Sequence, residues 1–266
     1  MPQLQSQPKT ASSALTHLDL FAGIGGFTLA AERTGEIQTT QFVEIDPDAQ
    51  TVLRSHWPNI PIHDDIRTYH ATDSQFDLIT GGFPCTNTSS EGDRTGLSGD
   101  KSSLWWEMLR VINECKPKFV VIENVEGFIT RGLREVLASL RMAGYQTEVE
   151  LISAAELGAC HRRRRIFVVA YSQLLSGQLP PCWSSQIGCS IARVRNSAKW
   201  LVFERRGNVP VPRFPPGMDE FPLSVLSGCP GRIRTRYLVG RSVSHYQAQI
   251  ALDRVFFLNL WFQQTQ

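Results

Sequence analysis

A chain of 266 residues, 42% hydrophobic and 20% charged, is long enough to bury a sizeable core and has an ordinary globular composition, and no apolar run in it approaches a membrane span. Its net charge of +2 hides an asymmetry. Between His161 and His245 fourteen Arg or Lys face three Asp or Glu, a surplus of eleven that the rest of the chain, acidic by nine, nearly offsets. A basic latter part with a run at Arg162-Arg163-Arg164-Arg165 suits a polyanion, nucleic acid first. The six cysteines (85, 115, 160, 182, 189, 229) contain no Cys-x-x-Cys pair, so they predict free thiols in a reducing compartment and no metal site. Residues 1–14 are polar, lack the apolar centre of a secretion signal, and read as a disordered tail.

From His17 the sequence Leu18-Asp19-Leu20-Phe21-Ala22-Gly23-Ile24-Gly25-Gly26-Phe27 predicts a strand that breaks into a glycine-rich turn and opens a helix through Arg33. Gln41 to Asp46 predicts a second strand with Glu44 placed to accept hydrogen bonds from ribose hydroxyls, 21 residues beyond Gly23. Asp46 and Asp48 read as the start of the next helix, 49–56, rather than as ligand contacts. Ile60 to Ile66 predicts a third short strand, with Asp65 near its end placed for an adenine amino group.

Phe76-Asp77-Leu78-Ile79-Thr80-Gly81-Gly82-Phe83-Pro84-Cys85 reads as a buried parallel strand closed by a tight turn that presents one thiol at the sheet's carboxyl edge, where open α/β sheets bind ligands. Residues 86–103 are polar and rich in Gly and Ser, the composition of a mobile active-site loop. Leu104 to Cys115 is an amphipathic helix, and Lys118 to Val125 is a strand ending in Glu123-Asn124. A carboxylate at the end of an apolar strand is costly unless it is hydrogen-bonded or protonated, which marks Glu123 as functional. A helix at 132–142 and strands at 145–152 and 166–170 complete an alternation that predicts a doubly wound, mostly parallel α/β sheet. Beyond Tyr171 no clean helix is visible, and 171–235 reads as a small irregular second domain before a returning helix from Tyr246.

Content and order of these motifs over residues 17–170 resemble the cytosine-C5 DNA methyltransferase family, with a weaker match from Gly240. The resemblance implies a Rossmann-like class I methyltransferase domain (15–170), a short target-recognition region (171–236) and a segment returning to the catalytic domain (237–266). S-adenosyl-L-methionine is the implied cofactor, held by Phe21, Gly23, Ile24, Gly26, Glu44, Ile45, Asp65, Ile66, Pro84, Leu104, Ser242 and Val243. Cys85 becomes the nucleophile that adds to carbon 6 of a flipped-out cytosine, Glu123 the acid at N3, and Arg163 with Arg165 the holders of the cytosine carbonyl oxygen. Gly240-Arg241-Ser242-Val243 stands where the family has Gly-Asn-Ala/Ser-Val. The implied partner is double-stranded DNA, in a restriction-modification or phage setting, with a cytoplasmic, monomeric, metal-free enzyme. A tRNA methyltransferase and a catalytically weak nucleic-acid-binding relic are the alternatives.

Overall fold

The structure is a computed structural model that describes residues 14–84, 104–175, 178–198, 202–206, 209–213 and 242–265. Seven strands form one sheet in the order β3-β2-β1-β4-β5-β7-β6. They are β1 (Leu15–Leu20), β2 (Ile37–Val43), β3 (Ile62–His63), β4 (Leu78–Gly81), β5 (Phe119–Val125), β6 (Tyr145–Ser153) and β7 (Arg164–Ser172). The first five pair in parallel; β7 runs antiparallel to both β5 and β6. A separate hairpin pairs β8 (Val202–Arg206) with β9 (Val209–Arg213).

Both sheet faces are covered, which is why the central strands read as continuous apolar runs and not as alternating ones. On one face, Leu15, Leu78, Phe119, Val121, Phe167 and Val169 pack against helices α1 (Gly26–Thr34), α5 (Trp183–Ser197) and α6 (His245–Thr265). On the other, Leu18, Leu20, Ile79, Val120 and Ile122 meet α3 (Leu104–Cys115) and α4 (Leu133–Met142). Helix α2 (Pro47–His56) starts at Asp46, whose carboxylate accepts from Asp48 N–H at 3.0 Å and Ala49 N–H at 3.4 Å, and it buries Leu53 against Phe42.

Two expectations need correction. The region after Tyr171 does contain a clean helix: α5 spans 15 residues, and its Trp183, Ile187, Ile191 and Val194 join the same core as α1 and α6. The second strand begins at Ile37, and Glu44 lies just past its end. Helix α6 is fixed from inside by Arg254, 2% exposed, whose guanidinium makes a two-pronged pair with Glu148 of β6 at 2.6 and 2.7 Å and also donates to the Pro181 carbonyl at 2.6 Å. Among the described residues no helix is long and apolar enough to cross a membrane, and no cluster of three metal-ligating side chains occurs.

Candidate active site

The carboxyl ends of β1, β2, β4 and β5 converge on a cavity of about 510 Å³. Its first wall is the glycine turn, where Phe21, Gly23 and Gly25 all take positive φ (53°, 55° and 83°). Close approach bears on these glycines as well, and a Cβ on Gly25 would lie 2.3 Å from the Trp57 ring. A Cβ on Gly23 would lie 3.2 Å from the Ser242 hydroxyl, and one on Gly26 would lie 2.2 Å from the carbonyl oxygen of Val243. The turn is pressed against the segment that leads into α6, so residues some 220 positions apart in sequence form one wall.

Glu44 braces that turn. One carboxylate oxygen accepts the Gly23 N–H at 2.7 Å and the other accepts the Asp46 N–H at 2.8 Å. Burial raises its pKa, and the backbone N–H bonds, among them those of Asp46 and Gly23, oppose the rise. Each oxygen keeps a further acceptor direction for a ligand hydroxyl. Beside it Gln50 donates to the Glu44 carbonyl at 2.7 Å and to Asp64 at 3.1 Å, tying the ends of β2 and β3. Ile45 is 61% exposed, an apolar surface beside Asp65 and Ile66 at the cavity edge. Arg110 of α3 holds that edge from behind by donating to the carbonyls of Ile66 at 2.7 Å and Tyr69 at 3.0 Å.

The opposite wall is Gly82-Phe83-Pro84 with the end of β5. A Cβ on Gly82 would lie 3.0 Å from Glu123 Oε2, so the turn passes directly over the carboxylate. Asn124 donates to the Phe83 carbonyl at 3.4 Å while its own side-chain oxygen accepts the Val125 N–H at 2.8 Å. Glu123 is paired with Arg165, Nε to Oε1 at 2.9 Å, and both side chains are largely buried. Burial pushes the Glu123 pKa up, against the lowering pull of Arg165 and Arg163. Burial thus favours the protonated form of this carboxyl group and the two guanidinium groups favour the ionised form.

Cys85, Arg241 and the 86–103 segment lie outside the described residues. Of the remaining residues singled out from sequence, Phe21, Gly23, Glu44, Ile45, Asp65, Ile66, Pro84, Leu104, Glu123, Arg165, Ser242 and Val243 line the cavity. Ile24, Gly26 and Arg163 do not. Gly26 is the first residue of α1, behind the turn. Arg163 precedes β7 with a φ of 20°, and its guanidinium donates to the Ser242 carbonyl at 2.6 Å. Arg163 thus braces the Ser242 end of the wall, while Arg165 lines the cavity. Sequence reasoning passed over Asp46, Asp64, Arg67 and Asn124, which also line the cavity. Asp46 caps α2, as its sequence position predicts, and lines the cavity as well.

Residues 15–188 match the family model for C-5 cytosine-specific DNA methylases. Among curated proteins, the chain is 33% identical over 162 residues to the Type II methyltransferase M.Bsp6I of Bacillus sp. (strain RFL6), a match covering 58% of this chain and 51% of the relative. It is 35% identical over 156 residues to the Type II methyltransferase M.CviJI of Paramecium bursaria Chlorella virus IL3A, covering 58% and 42%. Among solved structures, a protein described as a DNA modification methyltransferase encoded within an E. coli prophage superposes with a TM-score of 0.52 at 25% identity, over 63% of this chain and 49% of the other. The chain thus spans about half the length of the curated relatives it matches.

Proposed function

The chain belongs to the C-5 cytosine-specific DNA methylase family, and on that premise we propose that it transfers a methyl group from S-adenosyl-L-methionine to carbon 5 of a cytosine in duplex DNA. The observation that carries the reading is the pairing of Glu123 with Arg165 directly under the turn that leads to Cys85.

The cavity fits the cofactor by its chemistry. A wall without side chains at Gly23, a buried carboxylate at Glu44 with acceptor directions to spare, and an apolar edge at Ile45 and Ile66 suit an amino-acid tail, a ribose and an adenine ring respectively. Glu44, Asp65, Ile45 and Ile66 would hold the nucleoside, with Phe21, Gly23, Ser242 and Val243 along the remainder. When bound, the cofactor supplies an electrophilic methyl group.

The protein's own groups make carbon 5 reactive. Carbon 5 of cytosine is a poor nucleophile until a thiolate adds at carbon 6, and Cys85 follows Pro84 where the turn leaves the cavity wall. Glu123 holds a proton at N3 as negative charge develops on the ring, and Arg165 keeps Glu123 oriented and faces the cytosine carbonyl oxygen. After the methyl group is in place, a base removes the carbon 5 proton and the sulfur–carbon 6 bond breaks, returning the thiolate. Because both carbons are stacked inside a duplex, the base must leave the helix, and the basic residues after His161 supply the charge that holds the DNA backbone.

The test is a trapping experiment. Duplex DNA of mixed sequence in which 5-fluorocytosine replaces cytosine is incubated with the protein and S-adenosyl-L-methionine, and should give an adduct that survives denaturant, because fluorine cannot leave as the proton does. No adduct from a preparation that methylates ordinary DNA would refute the covalent route.

A further inference from the structure

Beneath the glycine turn and the Pro84 turn lies a closed ring of five polar side chains that the proposed reaction does not use. His17 and Asp19 come from β1, Thr39 from β2, Thr80 from β4 and Thr28 from α1, and none is more than 8% exposed. His17 Nδ1 is 2.7 Å from the Thr39 hydroxyl, and Nε2 is 2.7 Å from the Thr80 hydroxyl. Thr80 Oγ1 is 3.0 Å from Asp19 Oδ1, Thr28 Oγ1 is 2.9 Å from Asp19 Oδ2, and Thr39 Oγ1 is 3.2 Å from Thr28 Oγ1.

Five hydrogen bonds require five hydrogens. The threonines bring three, so His17 and Asp19 together must bring two. Either an imidazolium brings both beside a carboxylate, or each group is neutral and brings one. A carboxylate beside a neutral imidazole leaves one of the five contacts with no hydrogen in it, and a negative charge buried without a cation. Between the two complete arrangements, the ionic one carries a desolvation penalty of several kcal/mol for each ion, and the intervening Thr80 keeps the two charges from direct contact. The neutral arrangement makes the same five bonds without it.

The surroundings act in the same direction. Burial pushes Asp19 up to about 7, with the Thr28 and Thr80 hydroxyl contacts opposing the rise, and pushes His17 down to about 3. The charged group that faces Asp19 from beyond the ring is Glu44, at the end of β2, and a carboxylate there also favours a neutral Asp19.

We propose that Asp19 is a positioning residue that works as a neutral acid, closing a ring through Thr80, His17, Thr39 and Thr28 in which all five hydrogen bonds run in one sense and Asp19 donates from one oxygen and accepts at the other. The ring joins the strand that ends in the cofactor turn to the strand that ends in the Cys85 turn, in the register where Asp19 pairs with Thr80 and His17 with Thr39. It therefore fixes the relative height of the two turns. The importance of that height rests on the proposed reaction; the proton arrangement does not.

Infrared spectra of the full chain at pH 6, as a difference between the wild type and Asp19→Asn, should show a carboxylic-acid C=O stretch contributed by Asp19. Nitrogen-15 spectra of labelled histidine should show His17 as a neutral imidazole held in one tautomer. An amide at position 19 can donate to one of Thr80 and Thr28 and accept from the other, so Asp19→Asn should bind S-adenosyl-L-methionine within about threefold of wild type by calorimetry. Asp19→Ala and Thr80→Val should lose about tenfold or more. An ionised Asp19 with both His17 nitrogens protonated would overturn the proposal, as would a loss in Asp19→Asn equal to that in Asp19→Ala. If the alanine variant does not fold, the spectra of the wild type and Asp19→Asn decide alone. Neither spectrum depends on methyl transfer, so a protein that methylates nothing leaves this test intact.

Discussion

Glu44 accepts the backbone N–H of Gly23 at 2.7 Å, so the carboxylate proposed to hold the cofactor's ribose also holds the turn that faces it. Binding site and brace are one residue, and its loss should be felt twice.

Glu44→Ala removes an acceptor from both Gly23 and Asp46 N–H as well as from a ribose hydroxyl. The expected loss of S-adenosyl-L-methionine affinity is about 2–3 kcal/mol, the upper part of the range for hydrogen bonds to a charged group. Glu44→Gln, which keeps one acceptor oxygen, should lose about half as much. Calorimetric Kd values check both, and an unchanged Kd in Glu44→Ala would remove the residue from the site.

Asp19 and His17 should give opposite pH slopes. Asp19 has a folded pKa of about 7, above its unfolded value, so its contribution to stability is complete below the unfolded pKa near 4 and is lost as pH rises through 7. His17 has a folded pKa of about 3, below its unfolded value, so its contribution is complete above about 6.5 and is lost as pH falls through 3. Between about pH 4 and 6.5 the two slopes cancel. Asp19→Asn leaves the His17 slope unopposed, so the stability of the variant relative to wild type should rise with pH by roughly 1.4 kcal/mol per unit over that window. Urea unfolding at a series of pH values measures this, and parallel curves would contradict it.

Gly26→Ala should disturb the site from behind. The added methyl group meets the Val243 carbonyl oxygen at 2.2 Å, a backbone atom that cannot swing away, so the segment entering α6 must shift. Overpacking of this kind costs about 1–3 kcal/mol, and cofactor affinity should fall along with the melting temperature. A variant with both unchanged would show that this wall yields freely.

Arg254→Met tests the attachment of α6. It leaves Glu148 without its cation and the Pro181 carbonyl without a donor, and removal of one partner of a buried pair costs about 3–5 kcal/mol. Replacing both, as Arg254→Met with Glu148→Leu, should recover much of that loss. Urea midpoints give the comparison.

The β4 turn was legible from sequence because an apolar run, two glycines and Pro-Cys coincide, and Glu44 and Glu123 because each acid follows an apolar strand. Helix α5 carried a signal at Trp183, Ile187, Ile191 and Val194, but the Ser, Cys and Arg between them hid the stripe. The reversed direction of β7 has no local signature, since Ile166 to Ala170 is equally apolar in either orientation. The five-membered ring was illegible for a further reason: it exists only once the registers of β1, β2 and β4 are fixed. The contact of Arg163 with the Ser242 carbonyl was illegible for the same reason, since it joins residues 79 apart in the chain.

Cytosine-5 methylation of DNA through Cys85 is the proposed activity. Its most direct measurement is transfer of a tritiated methyl group from S-adenosyl-L-methionine to mixed-sequence duplex DNA, with the labelled nucleoside identified after digestion, for the wild type and for Cys85→Ala. Label is expected in 5-methylcytosine for the wild type and none for Cys85→Ala, whose cofactor Kd should stay within a few-fold of wild type. Label on an exocyclic amine, or turnover that survives in Cys85→Ala, would contradict it.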